Sequence, residues 1–233
     1  REMKQIGDVV IAAPATQRSA ISSSLTLYTP LLASRHRDDG IDIFAVEGTT
    51  ADAVKLAVCE LLPSPPEVVV SGINFGLNTG SNILYSGTVA GAMEGALYGL
   101  PSFAVSLEVS DDPSWPAAAR LSRTIIGKLL GKRSKQPASY NINIPARPSS
   151  RIQGTLVTVQ EPEPHDDSYE RRLDPRGRTY YWLRGTPVRS WDNGAPEVAT
   201  DAWAVARGYV SVTPIRRDLT DHRKLGSTRK RLK

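Results

Sequence analysis

The sequence contains little cysteine and histidine and no long apolar run, and these absences exclude several classes of protein. Its 233 residues include one cysteine, Cys59, and three histidines. A single cysteine cannot form an intramolecular disulfide, and a structural zinc site built on cysteines is implausible. No run of eighteen apolar residues is present, which argues against a membrane-spanning helix. Cys59 lies on the apolar face of a helical pattern, so we expect it to be a small core residue.

The composition is that of an ordinary globular protein. Hydrophobic residues make up 40% and charged residues 23%, which excludes a disordered polyelectrolyte. The length predicts one large domain or one domain with an appendage. The first five residues, Arg1-Glu2-Met3-Lys4-Gln5, are polar and lack the apolar stretch of a signal peptide, so we expect a reducing, cytoplasmic setting.

The excess positive charge is confined to the carboxyl-terminal tail. Residues 216–233 contain eight basic and two acidic side chains, whereas the other 215 residues contain 21 basic and 22 acidic ones. A short basic tail without aromatic residues is typical of a solvated terminus, with a polyanion-binding arm as the alternative. We therefore do not expect the protein to bind nucleic acid.

Strand and helix patterns alternate through the first half of the chain. A hairpin is predicted from residues 25–33 and 41–46, with turn chemistry at residues 35–40. Buried strands and helices are predicted in turn at residues 8–14, 51–62, 68–70, 89–100, 102–106 and 117–130. This order predicts an α/β fold, with a mostly parallel sheet and helices on both faces.

The second half of the chain has a different character. Two more strands are predicted at residues 141–145 and 154–159, and a short helix and a strand at 200–207 and 209–214. Residues 161–200 are rich in proline, glycine, charge and aromatics, which favours an interface. We therefore divide the chain into three parts: a core (1–135), a β-rich oligomerisation region that returns to the core (136–215), and a basic tail (216–233).

One loop carries most of the chemistry. Ser71-Gly72-Ile73-Asn74-Phe75-Gly76-Leu77-Asn78 follows a predicted strand, and Ser86-Gly87-Thr88 opens a helix. Ligands of open α/β sheets bind beyond the carboxyl ends of the strands. Amide side chains can coordinate a cation, and a helix start favours an anion such as phosphate. The alternative interpretation is an ordinary turn followed by a Ser/Thr helix cap.

This loop, continued through Leu84-Tyr85-Ser86-Gly87-Thr88-Val89-Ala90-Gly91-Ala92-Met93-Glu94-Gly95, resembles the signature of the SurE family. The resemblance extends to Asn141-Ile142-Asn143-Ile144-Pro145 and to Gly208-Tyr209-Val210-Ser211-Val212-Thr213-Pro214. Members of that family are nucleotidases that remove phosphate from nucleoside monophosphates. The resemblance implies a Rossmann-like core, a smaller protruding region that forms homodimers or homotetramers, and a divalent metal, Mg²⁺ or Mn²⁺.

The same resemblance implies site residues. Ser19 and Asn74 match metal ligands of the family, and Asn78, Ser86, Gly87 and Thr88 match positions around metal and phosphate. The family's other ligands are two adjacent aspartates in an Asn-Asp-Asp-Gly motif after the first strand, which has no counterpart here. Asp38-Asp39-Gly40 is a decoy in the predicted hairpin turn, so we assign no catalytic residue. Two hypotheses follow: a metal-dependent phosphomonoesterase, or a catalytically inactive nucleotide-binding or oligomerising protein.

Overall fold

The strands and helices assemble into two helix-covered sheets and a separate two-stranded hairpin. The computed structural model describes residues 1–131, 138–162, 168–184 and 197–232. The strands in chain order are β1 (Val10–Pro14), β2 (Ala33–Asp38), β3 (Ile41–Val46), β4 (Val69–Phe75), β5 (Ser102–Leu107), β6 (Ser139–Ile144), β7 (Thr155–Val157), β8 (Ser168–Leu173), β9 (Thr179–Arg184) and β10 (Val210–Ile215). The helices are α1 (Thr50–Leu56), α2 (Gly87–Leu97), α3 (Trp115–Leu130), α4 (Asp201–Ala206) and α5 (Leu225–Arg231).

The smaller sheet has the order β1-β3-β2, with β1 parallel to β3 and β2 antiparallel to it. The predicted hairpin exists, but residues 25–33 were wrongly taken for its first strand. The charged residues taken for its turn form β2, and the backbone reverses at Asp39 and Gly40, whose φ angles are 47° and 74°. Because β2 is an exposed edge strand, its charged side chains remain in solvent.

The larger sheet has the order β4-β5-β6-β10-β7, and only the β6–β10 pairing is antiparallel. Side chains of successive residues point to opposite faces. On one face, Phe103 and Val105 pack in the main apolar core with Ile126 of α3. On the other face, Ala104 packs with Val89 and Ala92 of α2. The predicted mostly parallel sheet with helices on both faces is therefore confirmed.

Helix α2 lies unusually close to β4 and β5 because of its small residues. A Cβ atom added to Gly91 would lie 2.8 Å from Ser71 Oγ, and one added to Gly95 would lie 2.6 Å from Ser102 Oγ. These distances are shorter than real carbon contacts, so any larger side chain would push the helix away from the sheet. The close packing expected from the glycines and alanines of this segment is confirmed.

Helix α1 does not continue regularly to Pro63, and this corrects the expectation for Cys59. The helix passes into a single π turn over Ala57–Leu61. A π turn adds a residue and rotates the side chains that follow it. Cys59 is consequently an exposed free thiol, with its sulfur 3.2 Å from the Tyr98 hydroxyl, rather than a core residue.

The segment at 161–200 and the tail contribute exposed elements. β8 and β9 form an antiparallel hairpin, while residues 163–167 and 185–196 lie outside the described residues. Every described residue from 216 onward is exposed, α5 included. In the described parts of the chain, each helix is too short or too polar to cross a bilayer.

Candidate functional site

The candidate site lies where β4 ends and α2 begins. Strand β4 ends at Phe75, a loop with a 3-10 turn at Gly80–Leu84 follows it, and Ser86 precedes the first residue of α2. β5 and β6 run parallel to β4, so their carboxyl ends lie at the same edge. The loop with the most informative sequence therefore occupies the expected ligand edge.

Asn74 is half-buried near the end of β4. Its Nδ2 donates to the carbonyl oxygen of Gly76 at 2.8 Å, and the residue pairs in register with Ser106 of β5. Because the amide nitrogen makes this bond, the Oδ1 atom is the part of Asn74 that can accept a donor or ligate a cation.

Asn78 is buried, and its side chain turns toward the sheet. Its Nδ2 donates to Ser106 Oγ at 2.7 Å, and its backbone N–H donates to Asn143 Oδ1 at 2.8 Å. Asn78 thus joins the loop to β5 and β6, in addition to any contact that its remaining amide oxygen makes with a ligand.

Ser86 caps α2. Its hydroxyl accepts from the N–H of Val89 at 3.1 Å, and its carbonyl oxygen accepts from the N–H of Ala90. The N–H groups of Gly87 and Thr88 precede these bonded positions and have no partner within the helix. The helix cap and the anion site are therefore compatible, because capping leaves the first two amides for a ligand.

Ser19 lies in an exposed segment that docks against this helix start. Its hydroxyl accepts from Gln17 Nε2 at 3.3 Å. Nearby, Ser22 donates from its N–H to the Tyr85 carbonyl oxygen and from its hydroxyl to the Leu84 carbonyl oxygen, at 3.0 and 2.6 Å. A Cβ atom placed on Gly87 would lie 3.8 Å from the carbonyl oxygen of Arg18. The fold thus brings the Ser19 segment beside Ser86 and Gly87, which are distant in sequence.

The residues at this edge do not by themselves suit a divalent metal. Ser19 and Asn74 supply neutral oxygen atoms, whereas Mg²⁺ sites normally include carboxylates. Within the described ranges, no three His, Cys, Asp or Glu side chains cluster as metal ligands. Asp39 lies in the β2–β3 turn, 3.6 Å from Lys4 Nζ, as expected for the decoy.

Four residues that build the site were missed by sequence reasoning: Ser106, Asn141, Asn143 and Asp201. Asn141 Nδ2 donates to the carbonyl oxygen of Asn78 at 2.7 Å, and Asp201 Oδ2 accepts from the N–H of Gly80 at 3.0 Å. Burial raises the pKa of the Asp201 carboxyl, although backbone N–H groups, that of Gly80 first, oppose this rise. Two asparagines at alternate positions of a strand share one face, and that spacing was the available signal.

The fold and the site define a class: an α/β protein of Rossmann-like type, with a polar loop and a helix start at the carboxyl edge of its sheet. A family model described as survival protein SurE matches residues 1–167. The chain belongs to the SurE family.

Individual relatives agree with this assignment over nearly the whole chain. A 5'-nucleotidase SurE from Syntrophus aciditrophicus is 41% identical over 220 residues, covering 94% of this chain and 82% of the relative. A 5'-nucleotidase SurE from Heliobacterium modesticaldum is 42% identical over 217 residues, covering 92% of this chain and 78% of the relative. The crystal structure of a SurE protein from Aquifex aeolicus has a TM-score of 0.84 and 35% identity, covering 99% of this chain and 91% of that one.

Proposed function

We propose that this protein is a phosphatase of the 5'-nucleotidase type, which hydrolyses nucleoside 5'- and 3'-monophosphates to nucleoside and phosphate. The observation that carries the proposal is the start of α2, where the Ser86 cap leaves two amides for an anion and the Ser19 segment packs alongside. Relatives named 5'-nucleotidase SurE, at about 40% identity, supply the reaction class.

The phosphate group is the part of the substrate that this geometry suits. The amides of Gly87 and Thr88 and the positive end of the α2 dipole favour a negative charge. Asn74 at the end of β4 and Ser19 in the docked segment are the proposed metal ligands. A divalent Mg²⁺ or Mn²⁺, when bound, would polarise the phosphate and activate water. Both proposed ligands are neutral oxygen donors, whereas Mg²⁺ sites normally include carboxylates.

The alternative candidate is a nucleotide-binding or oligomerising protein without catalysis. Phosphate release from adenosine 5'-monophosphate, with and without Mn²⁺, separates the two candidates. It should be measured on this chain and on a chain extended at its amino-terminal end with a strand and Asn-Asp-Asp-Gly.

We expect the extended chain to be at least about 100-fold more active, and only when Mn²⁺ is present. A version with both added aspartates changed to asparagine is the control and should lose this gain. If all three chains release phosphate at the same rate, with or without Mn²⁺, the proposal that the protein is a nucleotidase is contradicted.

The β8–β9 hairpin supports a homodimer or homotetramer. Register places Tyr169 opposite Leu183, and Tyr181 lies on the same face. These three side chains are 65%, 57% and 60% exposed. A largely apolar face of this kind, with Arg171 opposite Tyr181, on a hairpin that forms a sheet of its own, is suited to pairing with a second copy.

Leu183→Asp should therefore shift the protein toward the monomer in size-exclusion chromatography with light scattering. Leu219→Asp is the matched control, because Leu219 is 87% exposed but lies in the tail. An unchanged molecular mass for Leu183→Asp, or an equal shift for both variants, would show that this face is not the interface.

A further inference from the structure

A row of polar side chains crosses the larger sheet beneath the candidate site. The register pairs Asn74 with Ser106, Ser106 with Asn143, and Asn143 with Ser211. Residues paired directly across strands share a face. Ser106, Asn143 and Ser211 are all fully buried. Because a buried polar group without a partner is unfavourable, the bonds that this row makes indicate what it is for.

Asn143 pairs with the main chain of the loop. Its Oδ1 accepts from the N–H of Asn78 at 2.8 Å, and its Nδ2 donates to the carbonyl oxygen of the same residue at 3.2 Å. Asn141 Nδ2 donates to that carbonyl oxygen as well, at 2.7 Å. A carboxamide thus bonds both backbone groups of Asn78, as a neighbouring strand would.

Gly80 is held in the same manner from a different part of the chain. Asp201 Oδ2 accepts from its N–H at 3.0 Å, and Gln160 Nε2 donates to its carbonyl oxygen at 2.9 Å. The other carboxylate oxygen of Asp201, Oδ1, accepts from the N–H groups of Glu161 and Ala202. Asp201 is fully buried, so its carboxylate is fixed in place.

These contacts hold four backbone groups of residues 78–80 through side chains that lie outside the loop. We propose that Asn143 and Asp201 are positioning residues, which fix this backbone and thereby set the spacing between Asn74 and the start of α2. The loop reaches both ends of the proposed phosphate site, so a shift of its backbone would misplace the ligand contacts. The role of the ligand rests on the proposed function, whereas the fixing of the loop does not.

Asp201→Asn is the sharpest test of the fixing. The Oδ1 atom of the asparagine can still accept from the N–H groups of Glu161 and Ala202. Its NH₂ group takes the place of the oxygen that accepts from the N–H of Gly80, so that bond is removed. Asn143→Leu, of similar size, removes both bonds to Asn78 and is the second variant. Thr158→Val is the matched control, because Thr158 is 3% exposed and its hydroxyl bonds only Ser211 and Thr213 among the described contacts.

Amide hydrogen exchange of residues 76–85 measures the fixing without any ligand. We expect about a tenfold faster exchange in this segment for Asp201→Asn and Asn143→Leu. Thr158→Val should leave the segment at the wild-type rate. If exchange in residues 76–85 rises no more in Asp201→Asn than in the control, Asp201 does not hold the loop. Asn143→Leu allows the same judgement if Asp201→Asn fails to fold.

Steady-state hydrolysis of adenosine 5'-monophosphate with Mn²⁺, in the chain extended as above, measures the consequence for the ligand. We expect KM to rise about tenfold in both variants, with a smaller change in kcat. A purely structural role would lower the amount of active protein and leave KM unchanged, and that result would contradict the positioning role. If the extended wild type neither binds nor hydrolyses the nucleotide, the proposed function fails, and the exchange rates alone decide the role of Asn143 and Asp201.

Discussion

The two sides of the candidate site are built in different ways. The loop after β4 is tied to the core by buried bonds, such as Asn78 to Ser106 and Gly80 to Asp201. The Ser19 side is exposed from residue 15 to residue 20. Ala20 and Ser22 have φ angles of 53° and 54°, in the left-handed region of the backbone, which residues other than glycine adopt with strain. One side is therefore fixed by the fold, and the other depends on a few surface contacts.

The strands that lead into the two sides lie at different places in the described part of the fold. β4 is an edge strand of the larger sheet, but it packs against β5 and α2, and its loop bonds β5 through Asn78 and Ser106. β1 is an edge strand of the smaller sheet, and Val10 and Ile11 are 42% and 38% exposed on it. The comparison shows that two segments distant in sequence reach one site through contacts of different kinds: buried bonds for the loop, and the bonds of Ser22 to Leu84 and Tyr85 for the Ser19 segment.

The largest effect is expected from Gly95→Val, which disturbs the packing of α2 against the larger sheet, on the side of the site that the fold fixes. The added Cβ would meet Ser102 Oγ at 2.6 Å and Val69 Cγ2 at 2.7 Å, so α2 must move away from the sheet. We expect a loss of about 2–3 kcal/mol in the free energy of unfolding, measured by urea denaturation.

Gly127→Ala in α3 is the matched control for that variant. Apart from the neighbouring backbone of α3, no atom of the described residues lies within 4 Å of the added carbon at this position. Because alanine favours a helix over glycine, this variant should be about 0.5–1 kcal/mol more stable than wild type. If Gly95→Val unfolds at the same urea concentration as wild type, α2 packs less tightly against the sheet than these distances indicate.

The next largest effect concerns the anchor of the exposed side, Asp52. This buried carboxylate accepts from the N–H and hydroxyl of Thr26 and from the N–H of Thr49, so it ties the segment after Ser22 to the start of α1. Burial works to raise the pKa of Asp52, but the hydrogen bonds from Thr49 and Thr26 outweigh it and lower the pKa below its usual range.

Asp52→Asn should therefore destabilise the protein by about 2 kcal/mol at pH 7. A lowered pKa stabilises the fold above the usual carboxyl value, about 4, and this contribution is lost as the pH falls through the lowered pKa. The difference in the free energy of unfolding between Asp52→Asn and wild type, measured by urea denaturation, should be smaller at pH 3 than at pH 7. Asp42→Asn, at an exposed pair with Arg35, is the control and should change stability little. A difference for Asp52→Asn that stays constant with pH would contradict the role of the carboxylate charge.

The sequence predicted the long elements well because their periodic patterns depend on local neighbours. Helix α3 was expected at residues 117–130 and spans Trp115–Leu130. The strand at residues 68–70 was expected to end in Ser71-Gly72-Ile73-Asn74, with a loop rich in glycine and asparagine from Phe75 onward. Parallel pairing of Asn74 with Ser106 and of Phe75 with Leu107 extends this strand, β4, to Phe75. Pairing with a distant strand cannot be read from local composition.

The candidate site was predicted unevenly for the same reason. The resemblance pointed to Ser19, Asn74 and the start of α2, and the fold gathers the Ser19 segment and that helix start at one place. The support that Asp201 gives to the loop could not be predicted. Asp201 follows Thr200 and has the sequence signature of a helix start alone, yet its carboxylate bonds Gly80, which is 121 positions away. Contacts over such separations follow from the topology of the chain.

The smallest effect is expected from the tail, the most exposed part of the molecule. Among the hydrogen bonds of the described residues, the last that joins the tail to the rest of the molecule is the one from Arg217 Nη1 to the carbonyl oxygen of Ala96, at 2.8 Å, at the end of α2 away from Ser86. Deleting residues 226–233 removes most of α5 and keeps that bond. Since an exposed, charged helix far from the loop contributes neither burial nor a ligand contact, nucleotide hydrolysis by the extended chain should stay within about twofold of wild type. A loss of tenfold or more in phosphate release, which shrinks as the salt concentration is raised, would show that the tail's charge acts on the anionic substrate, because salt screens a long-range attraction that only the chain with the tail has.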